Sequence, residues 1–91
     1  MCVRRRPYDA VVPDEESDQP MRRAFGMWVR ELRHRRGLTQ AVVAQQAAIS
    51  VTYLSEMESG HHNPTLAVVL RLARALDVKP SQLVARLDQL D

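Results

Sequence analysis

Two short helical patterns that lie only a few residues apart constrain the fold of this chain more than any other feature. Thr39 and Ser50 each stand immediately before one of the patterns. A hydroxyl there can accept a hydrogen bond from a backbone N–H two or three residues further along and so begin a helix. The apolar residues that share a helical face are Val43, Ala44 and Ala47 in the first pattern and Val51, Leu54 and Met57 in the second. Gly60 suits the left-handed backbone that ends a helix, so the sequence predicts two helices joined by a tight turn.

Two helices joined in this way form a helix-turn-helix, whose second helix, the recognition helix, has the shape to enter the major groove of DNA. Three further helices are predicted around it. The first runs from about Met21 to Arg36, where Gly37 ends it. The fourth has Thr65 as its cap and ends at Asp77, and the fifth has Pro80 in its first turn. The expected buried faces are Phe25, Trp28, Val29 and Leu32 in the first helix, Leu66, Val69, Leu70, Ala73 and Leu76 in the fourth, and Leu83, Val84 and Leu87 in the fifth.

The order of these motifs resembles that of the phage-repressor family, the lambda-repressor-like or Xre/Cro-type helix-turn-helix proteins. The resemblance covers roughly residues 21–88 and rests on short pieces in a fixed order rather than on any single motif. The matching pieces are Leu32-Arg33, Arg36-Gly37-Leu38-Thr39-Gln40, Ala44, Ile49-Ser50, Tyr53-Leu54-Ser55, Met57-Glu58-x-Gly60, Asn63-Pro64-Thr65-Leu66, Leu70, Ala73-x-x-Leu76 and Leu83. The resemblance implies an all-α fold, a compact five-helix lambda-repressor-like DNA-binding domain.

The chain divides into a short N-terminal arm and one small domain. Residues 1–20 contain three prolines and a cluster of acidic residues but no helical period, which predicts a flexible arm. The arm is either a tail without function or a means for Arg4–Arg6 to reach into a DNA groove. Residues 21–91 form the predicted DNA-binding domain, with the helix-turn-helix unit at about 39–59. They include ten basic and six acidic residues, and a basic excess favours a polyanionic partner.

Composition and motifs argue against several other classes of protein. No apolar run is long enough to span a membrane, and the single cysteine, Cys2, excludes an internal disulfide and fits a reducing cytoplasm. No nucleophile–base pair, phosphate-binding glycine loop or carboxylate group has catalytic spacing, so we expect no enzyme activity and no cofactor. His61 and His62 are adjacent but lack a third metal ligand nearby. We therefore expect no metal site, and no small-molecule ligand.

The resemblance also implies which residues of the recognition helix read DNA bases. Members of the family read bases with the residues at the positions of Val51, Thr52 and Glu56. Thr52 could contact a base through its hydroxyl or a thymine methyl through its own methyl, and Val51 offers apolar contact to a thymine methyl. Glu56 could accept a hydrogen bond from cytosine N4. Two alternatives stay open: Val51 could be partly buried in the core, and Glu56 could be a solvated carboxylate that repels phosphate.

Phosphate contacts are expected from polar residues around the two short helices and the loop that follows them. The candidates are Gln40, Ser50, Tyr53, Ser55, Asn63 and Arg36. The resemblance further implies a partly buried ion pair between Arg33, late in the first helix, and Glu58, late in the third. Such a pair would join the first helix to the recognition helix.

Two departures from the family pattern have physical consequences. Ala48 occupies the turn position where the family usually has glycine, and alanine would cost on the order of 1 kcal/mol if that position requires positive φ. There is also no Lys or Arg between Gly37 and Leu70. Phosphate affinity would then depend on neutral donors, helix dipoles and flanking arginines, which predicts weak binding by a monomer and a shallow dependence on salt.

A homodimer would supply the missing affinity. Val84, Leu87 and Leu90 extend the apolar stripe of the fifth helix and are the predicted dimer contact, although Leu87 could instead complete the monomer core. A dimer would bind an inverted repeat with half-sites roughly 10 bp apart. These features predict a sequence-specific transcriptional regulator that binds double-stranded DNA and controls its own promoter, of the restriction–modification controller, prophage-regulator or antitoxin type. The alternative is a protein-interaction module that kept the fold but lost DNA binding.

Overall fold

Five α-helices and a 3-10 helix make up the part of the molecule that the structure describes. This structure, a computed structural model, describes the backbone of residues 15–89 and the side chains of residues 18–88. The helices are α1 (Glu15–Arg35), α2 (Gln40–Gln46), α3 (Val51–Glu58), α4 (Leu66–Ala75) and α5 (Pro80–Val84), followed by a 3-10 helix at Ala85–Gln89. Within residues 15–89 there is no strand, and no helix is long and apolar enough to cross a membrane. The predicted all-α, five-helix fold is confirmed.

Hydroxyl caps begin the three central helices, as predicted. Oγ1 of Thr39 accepts the N–H of Val42 at 3.2 Å, and Oγ of Ser50 accepts the N–H of Tyr53 at 3.0 Å. Thr65 caps α4 in the same way. Each cap satisfies one of the N–H groups that the first turn of a helix leaves without a partner. The starts of α2, α3 and α4 are therefore fixed by local sequence.

The first four helices also end alike. Each is followed by a residue with left-handed backbone, and the next residue donates its N–H to the carbonyl five positions back; Ile49 and Ala44, 3.0 Å apart, form this bond between α2 and α3. The left-handed residues are Gly37 (φ 66°), Ala48 (φ 57°), Gly60 (φ 84°) and Asp77 (φ 54°). These bonds satisfy carbonyls at the helix ends and reverse the chain. Ala48 thus has the positive φ at which alanine is strained.

The core is mostly aliphatic and includes residues from every helix. Its buried members are Phe25, Val29, Val43, Ala44, Ala47, Leu54, Met57, Val68, Leu72, Ala73, Leu76 and Leu83. The predicted faces of α1 and α2 are the faces that the structure buries, with Trp28 and Leu32 at the edge of the core. On α3 the prediction needs one correction, because Val51 is 45% exposed whereas Leu54 and Met57 are fully buried.

The buried face predicted for α4 was partly wrong. Leu66 and Leu70 are 75% and 40% exposed, while Val68 and Leu72 are buried instead. Apolar residues surround most of this helix, so helical spacing alone does not choose between two overlapping stripes. In the observed orientation of α4, Nε of Arg71 donates to the carbonyl of Ala47 at 2.8 Å. This hydrogen bond joins α4 to the end of α2.

Helix α1 begins at Glu15, six residues before the predicted start at Met21. The prediction treated Pro20 as the boundary between arm and domain. Pro20 is the sixth residue of α1, so its missing N–H removes one backbone hydrogen bond, and the helix continues through it. Asp18 lies near the start of α1, where the positive end of the helix dipole stabilises a negative charge. Residues 15–20 therefore belong to α1, and the rest of the predicted arm, residues 1–14, lies outside the described residues.

Helix α1 packs unusually close to α3 at Gly26, a contact that the sequence analysis did not anticipate. A Cβ atom added to Gly26 would lie 2.2 Å from the carbonyl oxygen of Met57 and 2.9 Å from that of Glu58. No side chain fits at such a distance. The glycine therefore allows α1 to support the C-terminal turn of the recognition helix directly.

Candidate DNA interface

The recognition helix α3 has one buried side and one exposed side. Leu54 and Met57 face the core, whereas Val51, Thr52 and Glu56 are exposed. Thr52 and Glu56 are four residues apart and so lie on the same face of the helix. Val51 is 45% exposed, so a partner can reach it although the domain covers the rest of its surface, as the alternative of partial burial allowed. The three predicted base-reading residues are thus all accessible to a partner.

Three polar residues from three helices form a network at the buried end of α3. Arg33 donates through Nε to Oε2 of Glu58 at 2.8 Å and through Nη2 to Oε1 at 3.0 Å. Its Nη1 donates to the carbonyl of Leu38 at 2.9 Å, and Nε2 of Gln40 donates to Oε1 of Glu58 at 3.0 Å. Arg33 and Glu58 are 8% and 7% exposed. The structure therefore brings together the predicted ion pair and holds Gln40, a predicted phosphate contact, at the start of α2.

Glu56 is not an isolated carboxylate. Its Oε1 lies 3.0 Å from Nε2 of His62, which comes from the loop after α3. The His62 ring meets the ring of Tyr53 edge to face, with centroids 4.6 Å apart and an angle of 79° between the planes. His62 thus contacts two residues predicted to meet DNA, and sequence spacing did not reveal these contacts. Within the described part of the chain, no group of three or more metal-ligating side chains is present.

Two predicted phosphate contacts are hydrogen-bonded to other parts of the molecule, and their contact with DNA stays a prediction. Nε of Arg36 donates to the carbonyl of Leu76 at 2.6 Å, and its Nη2 lies 2.6 Å from Oδ2 of Asp77. The positive guanidinium there meets the negative end of α4, which stabilises both groups. Nδ2 of Asn63 donates to Oδ2 of Asp18 in α1 at 3.4 Å. Neither residue belongs to the surface around the start of α3.

The remaining candidates for phosphate contact lie along α3. Ser50 is exposed, and although its oxygen caps the helix, its O–H can still donate to a partner. Tyr53 and Ser55 are half-buried. These are neutral donors, and the stretch between Gly37 and Leu70 contains no Lys or Arg. The surface around α3 therefore offers hydroxyl groups, an amide, backbone N–H groups and one carboxylate paired with histidine.

The residues predicted to form a dimer contact border an apolar groove at the other side of the domain. Val84 is 37% exposed and Leu87 is half-buried on the 3-10 helix rather than on α5. Together with Phe25 and Val69 they line a groove of about 150 Å³. Leu87 packs against the core, as the alternative in the sequence analysis held, and it also lines this groove. Leu90 lies outside the described residues.

This arrangement, two short capped helices with an exposed second helix on a supporting bundle, defines the class of helix-turn-helix proteins. The family model described as "Helix-turn-helix domain" matches residues 24–87, and the chain belongs to this family. The predicted resemblance is thereby confirmed. The family is one of helix-turn-helix transcriptional regulators.

Relatives in other organisms support this assignment. The chain is 39% identical over 69 residues to the HTH-type transcriptional regulator y4dJ of Sinorhizobium fredii, a match that covers 76% of this chain and 90% of the relative. It is 34% identical over 59 residues to the immunity repressor protein of Bacillus phage phi105, covering 65% of this chain and 41% of that protein. The chain thus spans most of the first relative but less than half of the second.

Two solved structures share the fold. The restriction-modification controller protein C.AhdI from Aeromonas hydrophila superposes with a TM-score of 0.69 at 36% identity, covering 70% of this chain and 97% of that chain. The clp gene regulator ClgR from Corynebacterium glutamicum gives a TM-score of 0.71 at 24% identity, which covers 78% of this chain and 94% of ClgR and is evidence for the fold alone.

Proposed function

We propose that this protein is a sequence-specific transcriptional regulator that inserts α3 into the major groove of double-stranded DNA. The observation that carries the proposal is the exposed face of α3, on which Val51, Thr52 and Glu56 are free of the core. Thr52 and Val51 would contact base edges and thymine methyl groups, and Glu56 would accept from cytosine N4. The residues on the opposite face of α3 hold the helix in the domain, so its outer face can serve recognition.

Neutral groups would make most of the phosphate contacts. Gln40, Ser50, Tyr53 and Ser55 are the proposed contacts, supplemented by backbone N–H groups at the helix starts. Arg36 and Asn63 would contribute less because they are bonded to α4 and α1, whereas Gln40, with one amide N–H bonded to Glu58, keeps a second N–H for phosphate. Since few cations would displace counterions from DNA, the logarithm of the binding constant should fall only gently with the logarithm of salt concentration.

We further propose that the active species is a homodimer on an inverted repeat, with half-sites roughly 10 bp apart. The groove bordered by Val84 and Leu87 supports this, because an apolar surface next to exposed aliphatic residues favours burial against another molecule. Leu90 is proposed to extend the same contact. The measurement is the molar mass in solution of the Val84→Lys variant, which should be that of a monomer. Met27→Lys changes an equally apolar residue, 68% exposed on α1, and should leave the dimer intact.

Within this class, we propose a regulator that controls its own promoter, of the restriction–modification controller type. The similarity to C.AhdI supports this subclass because it covers 97% of that chain. The prophage-regulator and antitoxin types remain alternatives, and the immunity repressor of phage phi105 is the relative that favours the former. A reporter fused to the gene's own upstream region tests autoregulation, since expression should change when the protein is supplied in trans and should respond more weakly to the Thr52→Ala variant, which loses one base contact in each half-site.

The experiment that tests DNA recognition is selection of binders from a random duplex library at near-physiological salt. Enrichment of an inverted repeat with centre-to-centre spacing near 10 bp is the expected result. Thr52→Ala should then relax preference at one position of each half-site and leave the rest of the motif unchanged. Recovery of no motif by a folded dimer would contradict the proposal.

A second function is favoured by a specific observation. The helix-turn-helix unit exposes Val42 and Val51 at 37% and 45% and lacks basic residues, so a protein partner is the alternative to DNA. This reading predicts that selection recovers no motif. It also predicts that Val51→Lys abolishes a protein complex that Thr52→Ala leaves intact.

A further inference from the structure

We propose that His62 is a specificity-determining residue that positions the carboxylate of Glu56 for base recognition. This inference rests on the proposed DNA-binding function. A residue in the loop after the recognition helix would then control specificity at one base position in each half-site.

The backbone at the end of α3 explains how a loop residue reaches the recognition helix. Gly60, with φ 84°, donates its N–H to the carbonyl of Met57 at 2.9 Å, and the N–H of His61 bonds to the carbonyl of Glu56 at 2.9 Å. These two bonds turn the chain back along the helix it has just left. His62 therefore lies beside α3, and its Nε2 comes within 3.0 Å of Oε1 of Glu56.

The chemistry of the pair determines what Glu56 can offer to DNA. An ionised carboxylate only accepts hydrogen bonds, so Nε2 of His62 must carry the proton that they share. That bond uses one oxygen of Glu56 and leaves Oε2 with its full capacity to accept from a cytosine amine. The edge-to-face contact with Tyr53 restrains the imidazole ring. A carboxylate held in this way loses less side-chain freedom when it meets a base than a mobile one does.

The charge of His62 also bears on binding, because Glu56 is the only acidic side chain on the exposed face of α3 in the described structure. A neutral imidazole can hold the carboxylate through its Nε2–H. An imidazolium holds it more strongly and offsets its repulsion of phosphate.

Other ionisable groups surround this pair and must be separated from it. On α3 these are Glu56 itself and Tyr53, and His61 is the neighbour in the loop. On α1, Nε of Arg22 donates to the carbonyl of Gly60 at 3.3 Å, and Arg23 packs against the same glycine. Both arginines contact Gly60 rather than the side chain of Glu56. His61 is therefore the group that needs a control.

The test uses the full chain and a panel of duplexes. The panel contains the selected operator and versions in which each base pair of a half-site is changed in turn. Glu56→Gln first identifies the base pair that depends on Glu56. His62→Ala should lower discrimination at that same base pair by about fivefold to tenfold and leave the other positions unchanged. His61→Ala, the matched control in the neighbouring loop position, should preserve discrimination everywhere.

Two further variants separate positioning from a general structural effect. In a Glu56→Gln background, His62→Ala should cause no further loss, since the partner is already altered. His62→Gln keeps an N–H donor, so it should restore much of the discrimination at that base pair. It also keeps the test valid should His62→Ala fail to fold, which a thermal melt will reveal.

The outcomes distinguish this inference from the function on which it rests. If the wild-type protein selects an operator but His62→Ala weakens all duplexes equally, His62 does not set specificity and the inference is overturned. The same holds if His62→Gln restores none of the discrimination that His62→Ala loses. If the wild-type protein selects no operator at all, the proposed DNA-binding function fails first, and the inference falls with it.

Discussion

The supporting helices and the helix-turn-helix unit use charge in different ways. In the support formed by α1, α4 and the C-terminal helices, arginines join separate elements. Arg33 reaches Glu58 of α3, and Arg71 reaches the carbonyl of Ala47 at the end of α2. The helix-turn-helix unit, residues 39–59, contains no Lys or Arg. Within the described residues, the arginines that join these elements therefore lie outside the helix-turn-helix unit.

The atoms to which these arginines donate explain why the two regions use charge differently. Arg22, Arg36 and Arg71 each donate to backbone carbonyls at or just beyond the C-termini of α3, α4 and α2. Those carbonyls lack partners within the helix and form the negative end of its dipole, so a cation is stabilising there. In this molecule, arginines fix the position of the recognition helix, while neutral groups form most of the surface proposed to meet DNA. Changes in the support should lower stability, and changes on the exposed face should alter DNA preference.

The largest effect is expected from Arg33→Ala, which removes the ion pair between α1 and α3. The variant leaves the buried carboxylate of Glu58 without its cation, so the free energy of unfolding should fall by roughly 2–4 kcal/mol. Denaturant melts measure this loss. The matched control is Arg35→Ala, whose ion pair with Glu31 is exposed and should contribute less than about 1 kcal/mol. A loss below about 0.5 kcal/mol for Arg33→Ala would show that the buried pair does not hold the support together.

Gly26→Ala tests the same support through shape instead of charge. The added methyl would lie 2.2 Å from the carbonyl oxygen of Met57, so α1 and α3 must move apart. Overpacking of this kind costs about 1–3 kcal/mol, which outweighs the gain from a better helix former. Thermal and denaturant melts give the loss. A variant as stable as the wild type would mean that the two helices separate freely, and the close approach would then have no structural role.

How far the sequence predicted this molecule depends on whether a feature is local. The caps at Thr39 and Ser50 and the left-handed ends at Gly37 and Gly60 were predictable because each requires only neighbouring residues. Contacts between distant segments were not. Helical spacing predicts neither the close approach of α1 to α3 at Gly26 nor which face of α4 is buried.

The candidate site shows the same limit. The exposure of Thr52 and Glu56 followed from the face that Leu54 and Met57 bury, which spacing on one helix reveals. Arg36 was assigned to phosphate because of its place next to the helix-turn-helix, whereas the structure joins it to residues 40 positions away at the end of α4. The contact of His62 with Glu56 depends on a chain reversal whose direction only the folded backbone defines.

The next prediction compares the same turn geometry in the two regions. Gly37 ends α1 in the support and Ala48 ends α2 in the helix-turn-helix unit, both with left-handed backbone. A Cβ atom at Gly37 meets nothing within 4 Å, so Gly37→Ala should cost about 1 kcal/mol through backbone strain alone. Ala48→Gly removes that strain but gives the unfolded chain more freedom, so its gain should be smaller, roughly 0.5 kcal/mol.

Denaturant melts of both variants check this pair, and their signs matter more than their sizes. If Ala48→Gly is destabilising, contacts of the Ala48 methyl group must outweigh the strain. The helix-turn-helix unit would then gain from the alanine that sets it apart from the family pattern.

The smallest effect is expected where a charge pair is exposed. Asp77→Asn removes the charge opposite Arg36 but keeps a side chain that tolerates left-handed backbone. Asp77 is 87% exposed, and Nε of Arg36 keeps its bond to the carbonyl of Leu76, so the free energy of unfolding should change by less than about 0.5 kcal/mol. DNA affinity, measured by titration of a labelled operator, should also stay constant, because Arg36 belongs to the support in this comparison. Tighter binding by the variant would mean that Arg36, once released from Asp77, reaches a DNA phosphate. Arg36 would then be an exception to the separation between supporting cations and a neutral DNA-facing surface.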